Sequence, residues 1–163
     1  MENIFAITRR FPAPRDLVWK SWSEVERLQR WWGPKGCTIE AARFEFRPGG
    51  FFHYSMRFPG SDDAMWGRFM YREIGAPERL VWLNSFSNPG CGITRAPFGG
   101  AIPLEIHNEL TLSDEGGKTL LTLRGYPHGA SEEEEAVFRG MFASLNQGWG
   151  GTMDQLEEYL GGL

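Results

Sequence analysis

Residues 10–22 read Arg-Phe-Pro-Ala-Pro-Arg-Asp-Leu-Val-Trp-Lys-Ser-Trp, and residues 30–34 read Arg-Trp-Trp-Gly-Pro. These two segments place four tryptophans and two short helical patterns directly after a predicted first strand. Tryptophan side chains are large and are mostly removed from water in folded proteins. We therefore expect the four tryptophans either to fill a hydrophobic core or to line a pocket for an apolar ligand.

The residues around these tryptophans predict one strand and two short helices. The run at residues 4–11 is typical of a strand, and Pro14 suits the first turn of the helix that follows it. Ser23, with Glu26 three residues later, predicts a capping box at the start of the second helix. The order in this region is therefore strand, helix, helix.

The four tryptophans should divide between two roles. Trp19 and Trp22 are expected to anchor the first helix on a sheet. Trp31 and Trp32 are neighbours in a helical turn, so their side chains diverge. We expect one of this pair to pack inward and the other to lie at the surface or at the rim of a pocket.

From residue 37 to residue 126 the sequence predicts strands joined by turns. Alternating runs are separated by turn segments such as Pro48-Gly49-Gly50, and no helical pattern intervenes. Strands linked in this way predict an antiparallel meander. The six predicted strands of this region are residues 38–47, 50–58, 64–74, 79–87, 104–113 and 118–126.

One connection in this region, residues 87–103, is longer than a hairpin turn. Long connections in compact domains commonly form lids or binding loops, or are locally disordered. This one carries Ile93, Phe98 and Ile102, so it has apolar side chains to offer to the mouth of a cavity.

A long amphipathic helix closes the chain. Ser131 and Glu134 predict a capping box at its start, and apolar residues recur at helical spacing from residue 138 to residue 160. Gly148, Gly150 and Gly151 each destabilise a helix by about 1 kcal/mol relative to alanine. We expect a bend there, or a close approach of the helix backbone to the sheet.

Together these elements predict a single α+β domain over residues 1–163. A curved, seven-stranded antiparallel sheet is expected to wrap around the long C-terminal helix, with the two short helices after the first strand. Side-chain alternation predicts which strand residues face the helix. The orientation of residues 79–87 stays open, because both of its faces are rich in apolar side chains.

The expected inner face combines large apolar side chains with isolated polar ones. Pockets for apolar ligands have this composition, and so do ordinary cores with buried amides. In a pocket, Tyr54, Asn84 or Asn108 would orient the ligand. The residues that we expect to bind it are Trp32, Phe52, Tyr54, Met56, Trp82, Asn84, Ile106, Asn108, Leu123, Phe142, Leu145 and Trp149.

Segments spread over nearly the whole chain carry a family resemblance. They are residues 13–19, 30–34, 47–50, 67–73, 77–81, 120–123 and 148–149. The chain resembles the single-domain proteins similar to the activator of heat-shock-protein-90 ATPase. That family lies within the helix-grip superfamily, which includes START lipid-transfer domains, the birch-pollen-allergen group and polyketide cyclases. The resemblance implies a cavity between the terminal helix and the sheet, with the tryptophan-rich second helix at its entrance.

Composition and motifs narrow the classes of function. The net charge of −4 gives no electrostatic reason to expect a nucleic acid, and the sequence has no apolar run long enough for a membrane span. We expect a cytoplasmic protein, since no signal-peptide pattern precedes the first strand. The sequence has no phosphate-binding loop, nucleophile elbow or zinc-binding motif, so we expect no cofactor and no metal, and we assign no catalytic residue.

The function that we expect is binding of a small hydrophobic or aromatic molecule in the cavity. Two alternatives stay open. An enzyme of the cyclase or hydrolase type would need an ionisable group inside the cavity, and a co-chaperone or protein-interaction module would need exposed aromatic surface near Trp31 or residues 87–103. A homodimer through a sheet edge or through that connection also stays open.

Overall fold

The computed structural model describes residues 4–97 and 99–163. In these ranges the chain forms eight strands and four helices, which confirms the predicted α+β class. The elements are β1 (Phe5–Phe11), α1 (Arg15–Ser23), α2 (Val25–Trp31), β2 (Thr38–Phe44), β3 (Phe51–Arg57), β4 (Ala64–Gly75), β5 (Arg79–Ser87), β6 (Ile93–Thr94), β7 (Glu105–Glu115), β8 (Lys118–His128), α3 (Glu132–Gly140) and α4 (Phe142–Gly161).

The strands form one antiparallel sheet in the order β1-β8-β7-β5-β4-β3-β2, and β6 pairs with the end of β5. From β2 to β8 the neighbours follow chain order, as the predicted meander requires. β1 pairs along its whole length with β8 and so forms the far edge. Helix α4 packs on one face, which we call the inner face: Met153 and Leu156 share a core with Phe52 and Leu123.

The sheet has one strand more than predicted. The additional strand is β6, in which Ile93 and Thr94 pair with Ser87 and Phe86 beyond the point where the β5–β7 pairing stops. Two residues are too few to give an alternating pattern, so the sequence held no signal for it. Strand β2 also stops at Phe44, before the predicted residue 47, because residues 45–50 form a tight turn.

The two predicted helix caps have opposite outcomes. Ser131 caps α3 as predicted: its hydroxyl accepts from the backbone N–H of Glu134, whose carboxylate accepts from the backbone N–H of Ser131. The predicted cap of α2 is wrong. Ser23 is the last residue of α1, and Glu24, whose N–H donates to the carbonyl of Lys20, is the N-cap without a side-chain hydrogen bond.

The predicted terminal helix consists of two helices. The break lies at Met141 (φ −95°, ψ 0°), directly after Gly140. Helix α4 continues through Gly148, Gly150 and Gly151 without interruption. A β-carbon added at any of the three would meet no atom within 4 Å, and the carbonyl of Gly150 lies 3.4 Å from an Nη atom of Arg9 in β1.

Aromatic side chains of α1 and α2 close one end of the inner face. Trp19 and Trp22 are buried, as predicted, and the ring centroid of Trp22 lies 5.6 Å from that of Trp82. Trp31 is the inward-pointing member of its pair, since it is 1% exposed. Its burial leaves no aromatic patch at that position for a protein partner, whereas Trp32 lies at the rim of a cavity.

Residues 88–91, in the connection between β5 and β7, lie against the outer face of the sheet. His53 Nε2 is 3.1 Å from the carbonyl oxygen of Asn88, and an Arg68 Nη atom donates to the carbonyl of Cys91 at 2.8 Å. Both side chains alternate away from α4, so they hold these residues on the face opposite the cavity described below. Among the described residues of the connection, 87–97 and 99–103, none lines that cavity; Phe98 lies outside the described residues.

None of the helices in residues 4–97 and 99–163 has both the length and the hydrophobicity that crossing a membrane requires.

Candidate functional site

A cavity of about 290 Å³ lies on the inner face at the end where β3 and β5 stop and β7 begins. The sheet forms its floor, α4 forms one wall, and the segment after α2 forms another. The lining residues are Trp32, Gly33, Pro34, Tyr54, Met56, Asn84, Ile106, Asn108, Ser144, Leu145, Gly148, Trp149 and Thr152.

Most of the residues expected from the sequence to bind a ligand meet at this cavity. They are Trp32, Tyr54, Met56, Asn84, Ile106, Asn108, Leu145 and Trp149. Four others do not line it. Phe52, Trp82 and Leu123 are fully buried in the core, and the ring of Phe142 packs against those of Phe5 and Phe138. Alternation predicts which face of the sheet a strand side chain lies on. It does not predict where along that face the core ends and the cavity begins.

Sequence reasoning missed five lining residues: Gly33, Pro34, Ser144, Gly148 and Thr152. Three of them carried a usable signal, because residues 144, 145, 148, 149 and 152 follow helical spacing and so share one face of α4. A serine, a glycine and a threonine were not selected by a search for apolar and amide side chains. Gly33 and Pro34 had no signal beyond ending α2.

The segment after α2 is held against α4 by hydrogen bonds. Gln155 donates from its amide nitrogen to the carbonyls of Trp31 and Gly33, and the Thr152 hydroxyl lies 3.5 Å from the same Gly33 oxygen. Gly33 has a φ of +91°, a left-handed conformation that glycine adopts without strain. These contacts fix the backbone on both sides of Trp32.

Trp32 separates the cavity from the closed core. Its ring meets the ring of Phe69 edge-on, with centroids 4.9 Å apart, and it contacts Trp149 of α4 with centroids 5.4 Å apart. One side of the Trp32 ring therefore belongs to the core, while the residue also lines the cavity. It connects the sheet and the helix at the inner wall.

Tyr54 supplies a neutral hydroxyl to the floor of the cavity. It lies directly over Gly67, its partner in β4, where a β-carbon would come within 2.5 Å of the tyrosine oxygen. Burial raises the pKa of Tyr54 to about 12, against a smaller lowering effect of its hydrogen bond with the Trp32 side chain. An indole N–H can only donate, so in this hydrogen bond the Tyr54 oxygen is the acceptor.

Two carboxamides complete the polar floor. Asn108 is buried opposite Gly125 of β8, where a β-carbon would lie 2.8 Å from the asparagine Oδ1. Asn84 Oδ1 is buried and has no hydrogen-bond partner in the part of the chain that the structure describes. A buried acceptor without a partner costs about 1–3 kcal/mol.

The cavity is electrically neutral. Among the described residues no carboxylate, guanidinium, ammonium or imidazole group lines it. His53 lies on the outer face, stacked on Trp66, and burial lowers its pKa. His107 also lies outside the cavity, stacked on Tyr126 and 3.2 Å from a carboxylate oxygen of Glu109. No group of three His, Cys, Asp or Glu side chains in the described ranges could hold a metal ion.

The comparisons with known proteins agree with this fold. The sequence matches a family model described as "Activator of Hsp90 ATPase homolog 1-like protein" over residues 12–161. None of the curated proteins matches the sequence.

Solved structures from several bacteria are similar to the chain. The solution structure of a protein from Arthrobacter aurescens is 23% identical, with a TM-score of 0.80 over 98% of this chain and 87% of that one. A crystal structure from Mycobacterium smegmatis is 22% identical, with a TM-score of 0.75 over 95% and 88% of the two chains. The AHSA1 protein of Silicibacter pomeroyi is 15% identical, with a TM-score of 0.72 over 97% of each chain. At these identities the likeness establishes the fold.

Proposed function

The chain belongs to the Activator of Hsp90 ATPase homolog 1-like family, and we propose that it binds a small hydrophobic or aromatic molecule between α4 and the inner face of the sheet. The cavity of about 290 Å³ carries the proposal. It combines large apolar walls with a few polar groups, which is the usual composition of small-molecule sites.

The size of the cavity suits a ligand of about two fused rings. An apolar cavity of about 150 Å³ holds benzene, and this one is about twice as large. Burial of apolar surface contributes about 25 cal/mol per Å², and the translational and rotational freedom that the ligand loses on binding offsets part of this.

Gly148 supports the proposal because the packing of the protein does not require a glycine at this position. A glycine inside a helix costs about 1 kcal/mol relative to alanine. A β-carbon at this position would meet no protein atom within 4 Å, and the residue lines the cavity. The space that glycine leaves is therefore available to a ligand.

Two leucine substitutions in α4 test the proposal. Gly148→Leu should place an apolar side chain in the cavity and abolish binding of 2-naphthol, measured by isothermal titration calorimetry. Gly150→Leu is the matched control, because Gly150 lies in the same helix, has the same free space at its β-carbon and does not line the cavity. It should bind as the wild type does. Equal binding by Gly148→Leu and the wild type would contradict the proposal.

The enzymatic and co-chaperone alternatives are not proposed. Tyr54 is the one ionisable side chain among the lining residues that the structure describes, and its raised pKa keeps it neutral, so it can donate a proton but does not act as a base at neutral pH. The co-chaperone alternative needs exposed aromatic surface near Trp31 or residues 87–103, and Trp31 is buried.

A further inference from the structure

A tight turn at residues 88–92 extends from the end of β5 across the outer face of the sheet. The strands lie there in the order β5, β4, β3. The carbonyl of Cys91 accepts from Arg68 of β4 at 2.8 Å, and the carbonyl of Asn88 lies 3.1 Å from His53 Nε2 of β3. The turn therefore passes over β4, and among the described residues its hydrogen bond to β3 comes from His53.

Asn88 holds the turn in shape through hydrogen bonds within it. Its Oδ1 accepts from the backbone N–H groups of Gly90 and Gly92, both at 2.9 Å, and its own N–H donates to the carbonyl of Gly92. In the described part of the chain only the hydrogen bonds from His53 and Arg68 join the turn to β3 and β4. The turn can therefore separate from the sheet as a unit without losing its internal hydrogen bonds.

His53 lies between two positive charges. It is 3% exposed, and its ring stacks on that of Trp66 with the centroids 4.8 Å apart. Cross-strand pairing places Arg43 of β2 on one side of it and Arg68 of β4 on the other. Both guanidinium groups also lie over the ring of Phe51, at 4.8 and 5.0 Å from its centroid. Like charges on directly paired residues destabilise a sheet, so a charged imidazole would be repelled from both sides.

The other titratable groups around His53 do not offset this repulsion. The carboxylate of Glu45 is paired with Arg43 at 2.9 Å. Glu40 of β2 lies on the same face one position further along the strand pair, and it is exposed to water. In the turn the one titratable side chain is the thiol of Cys91, and β5 places serines beside this part of β4. A protonated His53 would therefore lack a counter-ion under the closed turn.

The hydrogen bond to Asn88 fixes where His53 takes up a proton. A carbonyl can only accept, so Nε2 donates and carries the hydrogen of the neutral ring, and a second proton from water binds to Nδ1. Burial lowers the pKa of His53, and the two arginines lower it as well, against the raising effect of the hydrogen bond with Asn88. The closed turn therefore favours the neutral imidazole.

Two hydroxyl groups beside the turn are unsatisfied while it is closed. Ser85 and Ser87 of β5 pair with Arg68 and Trp66 of β4, so they lie on the outer face. Both serines are buried, and their Oγ atoms have no hydrogen-bond partner among the described residues. A buried polar group without a partner costs free energy that contact with water recovers. These two groups therefore reduce the free-energy difference between a closed and an open turn.

We propose that the turn of residues 88–92 is an acid-sensitive latch, which protonation of His53 releases from the outer face of the sheet. In the open position the imidazole is in water and has its ordinary pKa of about 6.5. The open form binds the proton more tightly than the closed form, so the turn stays closed above about pH 6.5 and opens as the pH falls below that value. The latch lies on the face opposite the cavity, so this inference does not depend on the proposed function.

The accessibility of the Cys91 thiol measures the opening. In a Cys37→Ser background Cys91 is the only cysteine, and it is half-buried in the turn. Its rate of modification by 2,2′-dithiodipyridine is measured with His53 and with His53→Gln, whose amide can donate to Asn88 but takes up no proton. Dividing the first rate by the second removes the effect of pH on the thiol itself. The ratio should rise about tenfold from pH 7.5 to pH 5, because the opening equilibrium gains up to a factor of ten per pH unit.

His107→Gln is the matched control for this measurement. His107 lies on the same face and stacks on Tyr126, and burial lowers its pKa too, but its hydrogen-bond partner is Glu109 and not the turn. The tenfold rise should therefore persist in this variant. A ratio that stays constant between the two pH values, or a rise that His107→Gln abolishes, would overturn the inference.

NMR spectroscopy of the wild-type protein gives a second test that needs no variant. Nuclear Overhauser contacts between the His53 ring and residues 88–91 should be present at pH 7.5 and lost at pH 5, while the contacts between β3 and β4 remain. Ring contacts that persist at pH 5 would overturn the inference. Loss of the contacts between β3 and β4 would overturn it too, because acid would then unfold the sheet rather than release the turn.

Discussion

At the scale of single residues, the cavity depends on two glycines that lie opposite polar side chains. Gly67 allows Tyr54 to lie across β4, and Gly125 leaves room for Asn108. Alternation correctly places the tyrosine and the asparagine on the inner face, but it cannot show what lies opposite them. The residue opposite each is set by the pairing of β3 with β4 and of β7 with β8, which alternation within one strand does not predict.

Tyr54 should make stability depend on alkaline pH. Burial raises its pKa to about 12 in the folded protein, against about 10 in an unfolded chain. The folded state therefore holds the proton more tightly, so the contribution is complete below about pH 10 and is lost as the pH rises toward about 12. We expect the free energy of unfolding to fall by about 2 kcal/mol through this residue over that interval.

Thermal melting of the wild type and of Tyr54→Phe across that pH interval measures the effect. The variant should lose less stability than the wild type, because only the tyrosine can ionise. Tyr71, whose pKa is raised by burial and, to a smaller extent, by the neighbouring Tyr54, is present in both proteins, so the effect of its burial is common to them. Parallel losses in the two proteins would show that Tyr54 ionises as freely in the folded state as in the unfolded one.

At the scale of elements, sequence periodicity predicted the existence of helices and strands better than their ends. Apolar residues recur across the break at Met141 without interruption, so nothing in the spacing separates α3 from α4. Ser23 and Glu26 have the spacing of a capping box, but the backbone hydrogen bond from Glu24 to Lys20 extends α1 through Ser23. A local sequence pattern cannot show whether Ser23 ends the first helix or caps the second.

The glycines of α4 should be replaceable at a gain in stability. Gly150→Ala and Gly151→Ala should each raise the free energy of unfolding by about 1 kcal/mol, because the added methyl group meets no neighbour within 4 Å and alanine favours the helix. Urea denaturation measures the change. Gly67→Ala is the contrasting variant and should lower stability, since its methyl group would collide with Tyr54. Losses at Gly150 and Gly151 would contradict the helical conformation of this segment.

At the scale of the whole molecule, the inner face has a closed end and an open end. Aromatic residues of α1 and α2 fill the first, and the cavity occupies the second. The family resemblance predicted a cavity between the sheet and the terminal helix. The resemblance did not predict that Asn88 and Cys91 of the long connection would lie on the outer face. These residues are held there through their backbone carbonyls, and a sequence does not show which backbone carbonyls accept hydrogen bonds from side chains.

Alanine substitutions of two leucines should distinguish residues of the core from residues of the cavity wall. Leu123→Ala removes a fully buried core side chain and should cost about 2–5 kcal/mol of stability, whereas Leu145→Ala, at the half-buried cavity wall, should cost less. For 2-naphthol affinity the order should reverse: Leu145→Ala weakens binding, and Leu123→Ala, at temperatures where it stays folded, does not. Urea denaturation and calorimetric titration measure the two effects. Weaker binding in Leu123→Ala than in Leu145→Ala would contradict this division.

The proposed ligand site is tested most directly by a two-dimensional NMR titration of the protein with 2-naphthol, followed through the tryptophan indole N–H signals. The account predicts saturable shifts of Trp32 and Trp149, which line the cavity, and no shift of Trp66, which stacks on His53 at the outer face. The shifts should vanish in Gly148→Leu and persist in Gly150→Leu. Unmoved signals of Trp32 and Trp149, or shifts that survive in Gly148→Leu, would contradict a ligand site in this cavity.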